Sequence, residues 1–145
     1  MSARNKAMDL LARREHSAHE LRQKLRQKEF GHEEIELAIK VLQQDNLQSD
    51  EQFTESYINN RINAGFGPIK INHELRQKGV ARGLIEEQMS MLAIDWNESL
   101  EQQRLKKYGL QIPNDYSQRM KQARFLQNKG FSPESVMRLF RQPRR

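Results

Sequence analysis

No cysteine occurs among the 145 residues, which excludes disulfides, thiolate metal sites and cysteine nucleophiles. A cysteine-free chain is expected in the cytoplasm. Long apolar runs are also missing. No stretch of eighteen apolar residues occurs, and Arg4, Lys6 and Asp9 interrupt the apolar positions at the start. Neither a membrane span nor a secretory signal is therefore expected. Alternating apolar and polar residues are almost absent, so strands are not expected. Apolar residues make up only 36% of the chain against 30% charged, and mean hydropathy is −0.95. A single large core would want more apolar material, so several small cores are expected instead.

What the chain does hold is charge, unevenly placed. The net charge is +6 and the pI is about 9.8. Residues 1–50 are neutral overall, residues 51–95 carry −1, and residues 96–145 carry +7. The last third therefore favours an acidic partner, either nucleic acid or an acidic protein surface, unless it is only a solvated basic face.

Helical periodicity runs throughout. Ala7, Leu10 and Leu11 form the stripe of a first helix that reaches toward Arg14. Ser17-Ala18-His19-Glu20 reads as a capping box opening a second helix with Leu21 and Leu25 inward, broken at Phe30-Gly31. A third helix places Ile35, Ile39 and Leu42 inward and Glu33, Glu34 and Glu36 in its first turn, where the helix dipole favours acids. After a linker at 46–50, Ser49 and Gln52 can cap a helix carrying Phe53, Tyr57 and Ile58. Gly65 and Gly67 then offer backbone freedom, Pro68 suits a first helical position, and Gly79 suits a helix stop. Later helices are expected from about Arg82 with Ile85, Met89 and Leu92, through Leu100, Leu105 and Tyr108 to Gly109, and from Asp115 with Met120, Ala123 and Leu126 to Gly130. Ser132-Pro133-Glu134 opens a last helix with Val136, Leu139 and Phe140, and the Arg/Pro tail from Gln142 is expected to fray.

These nine helices fall into three sets. Leu25-x-x-Lys28-Glu29-Phe30, Leu75-x-x-Lys78-Gly79-Val80 and Leu126-x-x-Lys129-Gly130-Phe131 share one register at offsets of 50 and 51 residues. The same offsets align Leu21 with Ile71, Ile35 with Ile85 and Val136, and Ile39 with Met89 and Phe140. The expected fold is all-α, with three tandem three-helix repeats of roughly 45–50 residues in an elongated, curved array, right-handed or similar. The repeats are expected at 1–48, 49–95 and 96–145, the last one basic. The recurring lysine suits the last helical turn, where a cation favours the dipole, or else contacts a partner.

No catalytic constellation is found. The phosphate-loop string Gly-x-x-x-x-Gly-Lys-Ser/Thr does not occur, and His16 and His19 lack the companions a metal site needs. Glu33-Glu34 and Glu86-Glu87 are explained as first-turn acids. The second and third helices of each repeat form a helix-turn-helix-like pair, yet two of the three would-be recognition helices begin with acids that phosphates repel. Phe53, Phe66, Phe125 and Phe131 fit core or turn roles better than a base-stacking platform. Sequence-independent DNA contact through the last repeat is compatible with this pattern; site-specific reading is not. A binding protein without catalytic activity, cofactor or metal is expected.

Arg61-x-x-x-Gly65-x-Gly67-Pro68-x-x-Ile71-x-x-Glu74-Leu75-x-x-Lys78-Gly79-Val80 resembles the central signature of the RecX regulatory proteins. Arg14-Glu15-His16-Ser17-x-x-Glu20-Leu21-x-x-Lys24-Leu25 resembles the N-terminal signature, and Lys107-Tyr108-Gly109 with Phe125-Leu126-x-x-Lys129-Gly130-Phe131 the C-terminal one. Glu29 stands where a glycine is common, and Gln48-Ser49-Asp50 replaces a more acidic run. The resemblance implies a cytoplasmic modulator that binds the RecA filament on single-stranded DNA and suppresses its growth, ATP hydrolysis, strand exchange and co-protease activity. It also implies a fold of tandem three-helix repeats. The rival reading is a basic helical-repeat protein that competes for single-stranded DNA. Candidate partner contacts are Arg14, Arg61, Glu74 and Lys78 from the motifs, and Arg119, Lys121, Arg124 and Lys129 from the basic repeat. A monomer is expected.

Overall fold

The computed structural model describes residues 1–141; the tail from Gln142 lies outside the described residues. Nine α-helices follow one another, with no strand among the described residues: α1 (Ala3–Arg13), α2 (Ala18–Gln27), α3 (His32–Gln44), α4 (Asp50–Asn63), α5 (Pro68–Gln77), α6 (Arg82–Met91), α7 (Trp96–Tyr108), α8 (Tyr116–Asn128) and α9 (Pro133–Arg141). No helix among the described residues is long and apolar enough to cross a membrane.

Helix starts follow the expected chemistry. Ser17 and Glu20 form the reciprocal capping box of α2. Asp95 and Asp115 accept from the backbone of Glu98 and Gln118 to cap α7 and α8. Helix ends are more uniform still. At the end of α2, Phe30 N–H donates to Leu25 O and Glu29 N–H to Arg26 O. Val80 and Gly79 make the same pair of bonds to Leu75 O and Arg76 O, and Phe131 and Gly130 to Leu126 O and Gln127 O. Each is a Schellman stop, whose hinge residue takes a positive φ: 67° at Glu29, 78° at Gly79 and 106° at Gly130. A glutamate thus does in the first repeat what glycine does in the other two. The same stop ends α3 through Asn46 and Leu47, and α4 through Gly65 and Phe66.

The described chain divides into two compact units. The first comprises Met1–Tyr57 and Leu75–Met91. Its principal core joins α1, α2 and α3 through Leu10, Leu21, Leu25, Ile35, Ile39 and Leu42, and Phe53, Leu75, Val80 and Ile85 are also buried within this unit. The second comprises Ile58–Glu74 and the described residues from Leu92 on. There Leu100, Ala123, Leu126, Phe131, Val136, Leu139 and Phe140 close a core among α7, α8 and α9.

Three expectations need correction. Leu105 is exposed, and the neighbouring inward position belongs to Arg104, which is 5% exposed. Its guanidinium donates to the carbonyls of Leu110 and Gln111, so a buried cation holds the loop after α7. Glu86 and Glu87 lie beyond the first turn of α6, which begins at Arg82. Acids of α3 do more than face a dipole: Glu34 accepts from the Ala3 N–H at 2.8 Å, and Glu36 pairs with Arg22 at 2.8 Å.

Candidate functional site

Two joints built on the recurring Leu-x-x-Lys-Gly end gather most of the candidate residues. In the first unit, the start of α2 meets the end of α5. Ser17 Oγ donates to the Lys78 carbonyl at 2.7 Å. A Cβ on Gly79 would lie 2.3 Å from His19 Cβ, so the contact needs glycine for space as well as for its φ. Glu20 is the electrostatic centre. Arg14 reaches it at 3.0 Å and Lys78 at 3.2 Å, and it also accepts from the Ser17 N–H. Burial opposes its charge, but the Arg14 and Ser17 hydrogen bonds and the Lys78 ammonium outweigh this and hold the carboxyl at about 2.

Beside it His16 is buried, with Nδ1 3.0 Å from the Arg14 carbonyl and Nε2 3.0 Å from Lys24 Nζ. A carbonyl on one side and an ammonium on the other select the neutral ring with the proton on Nδ1. Burial, aided by Arg14 and Lys24, lowers its pKa despite the Arg14 carbonyl hydrogen bond and Glu20. Gln48 closes the network from the segment before α4. Its Nε2 donates to His16 O and Asp50 Oδ1, and Asp50 Oδ1 accepts from the Ala18 N–H. The expected linker is therefore a packed part of this joint.

In the second unit, the start of α5 meets the end of α8. Gly67 N–H donates to Lys129 O at 2.7 Å and Ile69 N–H to Gly130 O at 3.0 Å. A Cβ on Gly67 would lie 2.5 Å from the Gly130 carbonyl carbon. Gly65 has the positive φ expected of it, at 90°, but Gly67 does not. Gly67 is required by backbone-to-backbone approach, which corrects the expectation that its freedom of angle matters.

The charges here differ. Phe66 ends the α4 stop, and Arg61, five residues earlier, lays its guanidinium 3.8 Å from the ring centroid. Lys129 Nζ stands 4.0 Å and Lys70 Nζ 4.9 Å from the same centroid. Glu74 grips Arg61 in a bidentate pair at 2.9 and 2.8 Å. Lys129 also donates to the Ala64 carbonyl at 3.4 Å.

The eight candidates thus separate. Arg14 and Lys78 converge on Glu20, while Arg61 and Lys129 converge on Phe66 and Glu74 pairs with Arg61. Arg119 is tied to the Pro113 carbonyl at 2.6 Å, whereas Lys121 and Arg124 are exposed on α8. Sequence reasoning did not single out Lys70, and it gave Glu20 only a capping role. The signal was the register: the offset that aligns Leu21 with Ile71 aligns Glu20 with Lys70, each beside the recurring lysine of the next repeat. Among the described residues, no group of three His, Cys, Asp or Glu could hold a metal ion.

Three family models match in chain order: RecX, first three-helix domain, over residues 3–42; the second three-helix domain over 49–89; and the third over 95–140. A Regulatory protein RecX of Ectopseudomonas mendocina (strain ymp) is 41% identical over 141 residues, covering 97% of this chain and 94% of that protein. One of Pseudomonas entomophila (strain L48) is 43% identical over 139 residues, covering 96% and 90%. Among solved structures, a crystal structure of regulatory protein RecX superposes with a TM-score of 0.77 at 25% identity, over 95% of this chain and 70% of that one. A crystal structure of RecX from Lactobacillus salivarius has the same fold, with a TM-score of 0.75 at 24% identity over 95% and 94%. The chain belongs to the RecX family of regulatory proteins.

Proposed function

We propose that this protein is a cytoplasmic, non-catalytic regulator that binds the RecA filament on single-stranded DNA and inhibits its recombinase, ATPase and co-protease activities. It would thereby modulate homologous recombination and the SOS response. The observation that carries the reading is the ordered match to all three RecX domains across residues 3–140. Tandem repeats add a physical argument, because several modest surfaces on one chain can engage successive protomers and sum to a high avidity.

Of the candidate contacts, Lys121 and Arg124 are proposed to face the partner, since they are exposed on the basic repeat. Arg14, Glu74 and Lys78 are proposed to act within the fold through their ion pairs. Arg119 is a poorer probe than its neighbours, because reversing its charge would also break its bond to Pro113. The double reversal Lys121→Glu/Arg124→Glu is expected to weaken filament association with helicity unchanged.

The test is RecA-dependent ATP hydrolysis on saturating single-stranded DNA, with this protein well below the concentration of DNA sites. Inhibition is expected. Unchanged hydrolysis contradicts filament binding and favours the second reading, competition for single-stranded DNA, which the +7 charge of residues 96–145 supports.

A further inference from the structure

The loop between α7 and α8 is fixed at its backbone yet leaves large apolar side chains in water. Arg104, buried on α7, donates to the Leu110 carbonyl at 3.2 Å and to the Gln111 carbonyl at 3.3 Å. Arg119 donates to the Pro113 carbonyl at 2.6 Å, and Ile112 packs against the core of α7, α8 and α9. Asp115 closes the loop as the cap of α8. At the other end Gly109 takes φ 83° and ψ −171°, a conformation that residues with a Cβ avoid. Leu110 is nevertheless 84% exposed and Tyr116 74%; Met1 aside, no other described large apolar side chain is as exposed. Burial of a leucine is favourable, so a free loop would fold Leu110 inward. The arginine bonds to the loop carbonyls hold it out.

We infer that Leu110 and Tyr116 are the apolar anchors of a protein-docking surface, whose partner offers an apolar pocket with an acidic rim. A backbone fixed in advance lowers the ordering cost of binding, which lets a small apolar contact be tight. Apolar anchors bordered by polar groups are the anatomy of an interface hot spot. The border here is cationic. Lys106 and Lys107 are exposed in the last turn of α7, just before the loop. Lys121 and Arg124 are exposed on α8, Arg124 about two turns on from Tyr116 on the same helix face. Those cations call for acids around the partner's pocket. Nucleic acid fits the anchors poorly. Leu110 has no aromatic face to stack on a base, and the exposed Asp115 next to Tyr116 would repel phosphate. The inference rests on the filament reading above, in which the partner is a RecA protomer, and adds an apolar contact to the charges proposed there.

The experiment titrates the labelled full chain onto RecA filaments preassembled on single-stranded DNA, and onto the same DNA without RecA. Leu110→Ser and Tyr116→Ser are each expected to weaken filament binding roughly five- to thirtyfold, with the salt dependence unchanged. Binding to bare DNA should stay as in the wild type. Leu110→Met, which keeps the apolar volume, should retain wild-type affinity for the filament. Leu37→Ser, at an exposed apolar position on α3, is the control for apolar surface in general and should change nothing. The inference is overturned if Leu37→Ser loses as much as Leu110→Ser, or if binding to bare DNA falls in proportion, which would assign the loop to nucleic acid. Filament binding by the wild type and equally by both serine variants contradicts this inference alone. Failure of the wild type to bind the filament contradicts the filament reading together with it.

Discussion

The two joints use one backbone design with opposite electrostatics. In both, the start of a second helix docks on a Schellman stop whose hinge glycine leaves room for the neighbour. In the first, a serine hydroxyl and a carboxylate meet the lysine end; in the second, a backbone N–H and two further cations do. Shape is therefore carried by the repeat, and charge is free to vary within it. In the first joint Glu20 draws Arg14 and Lys78 together, and these contacts read as structure. In the second, Arg61, Lys70 and Lys129 gather on the Phe66 ring, with Glu74 paired to Arg61.

The largest expected effect separates space from angle. Gly67→Ala would place its Cβ against the Gly130 backbone, which cannot rotate away, and should cost about 3 kcal/mol or more in urea unfolding. A loss under about 1 kcal/mol would mean that the close backbone approach in the second joint is not needed.

Next is the charge at the first joint. Glu20→Gln should destabilise by about 1–2 kcal/mol, because Arg14 and Lys78 lose their common partner, whereas the wild-type lysine at the corresponding position 70 already lacks that charge. Acid should reproduce the loss. With the folded carboxyl held at about 2 against an ordinary 4.5, the native state binds fewer protons, so stability is full above pH 4.5 and falls as pH drops toward 2. His16, whose pKa is also lowered, adds an earlier loss of the same sign beginning as pH falls through 6.5. His16→Gln should remove that upper phase in a pH series of unfolding midpoints and leave the lower one; an unchanged upper phase would assign it to another group.

The smallest effect concerns the first repeat's helix end. Glu29 holds a left-handed φ of 67°, so Glu29→Gly should stabilise by about 0.5–1 kcal/mol, while Gly79→Ala and Gly130→Ala both destabilise. Destabilisation by Glu29→Gly would show that its side chain makes a compensating interaction.

Much of this fold was legible because helix starts and stops are local chemistry. Capping serines and aspartates, Pro68 and the Lys-Gly ends announce themselves within a few residues, and their recurrence gave the three repeats. Arg104 was not legible: a charged residue reads as exposed until the carbonyls of Leu110 and Gln111 are seen to receive it. Gln48 was hidden for the same reason, since its partners His16 and Gln43 come from other segments. The candidate site was half legible. Arg61, Glu74, Lys78 and Lys129 were visible as motif residues, but their partners depend on which helix end docks on which start. The recurring lysine, expected to serve the dipole or a partner, also bonds to a neighbouring repeat at both joints.

The most direct test of the account is a pair of double-mutant cycles at low salt, Glu20→Gln with Lys78→Gln and Lys70→Gln with Lys129→Gln, read as unfolding free energy. The first pair is predicted to couple favourably by about 0.5–1 kcal/mol and the second unfavourably by a similar amount. Coupling of the same favourable sign at both joints would contradict the claim that the two joints share a backbone design with opposite electrostatics at the recurring lysine.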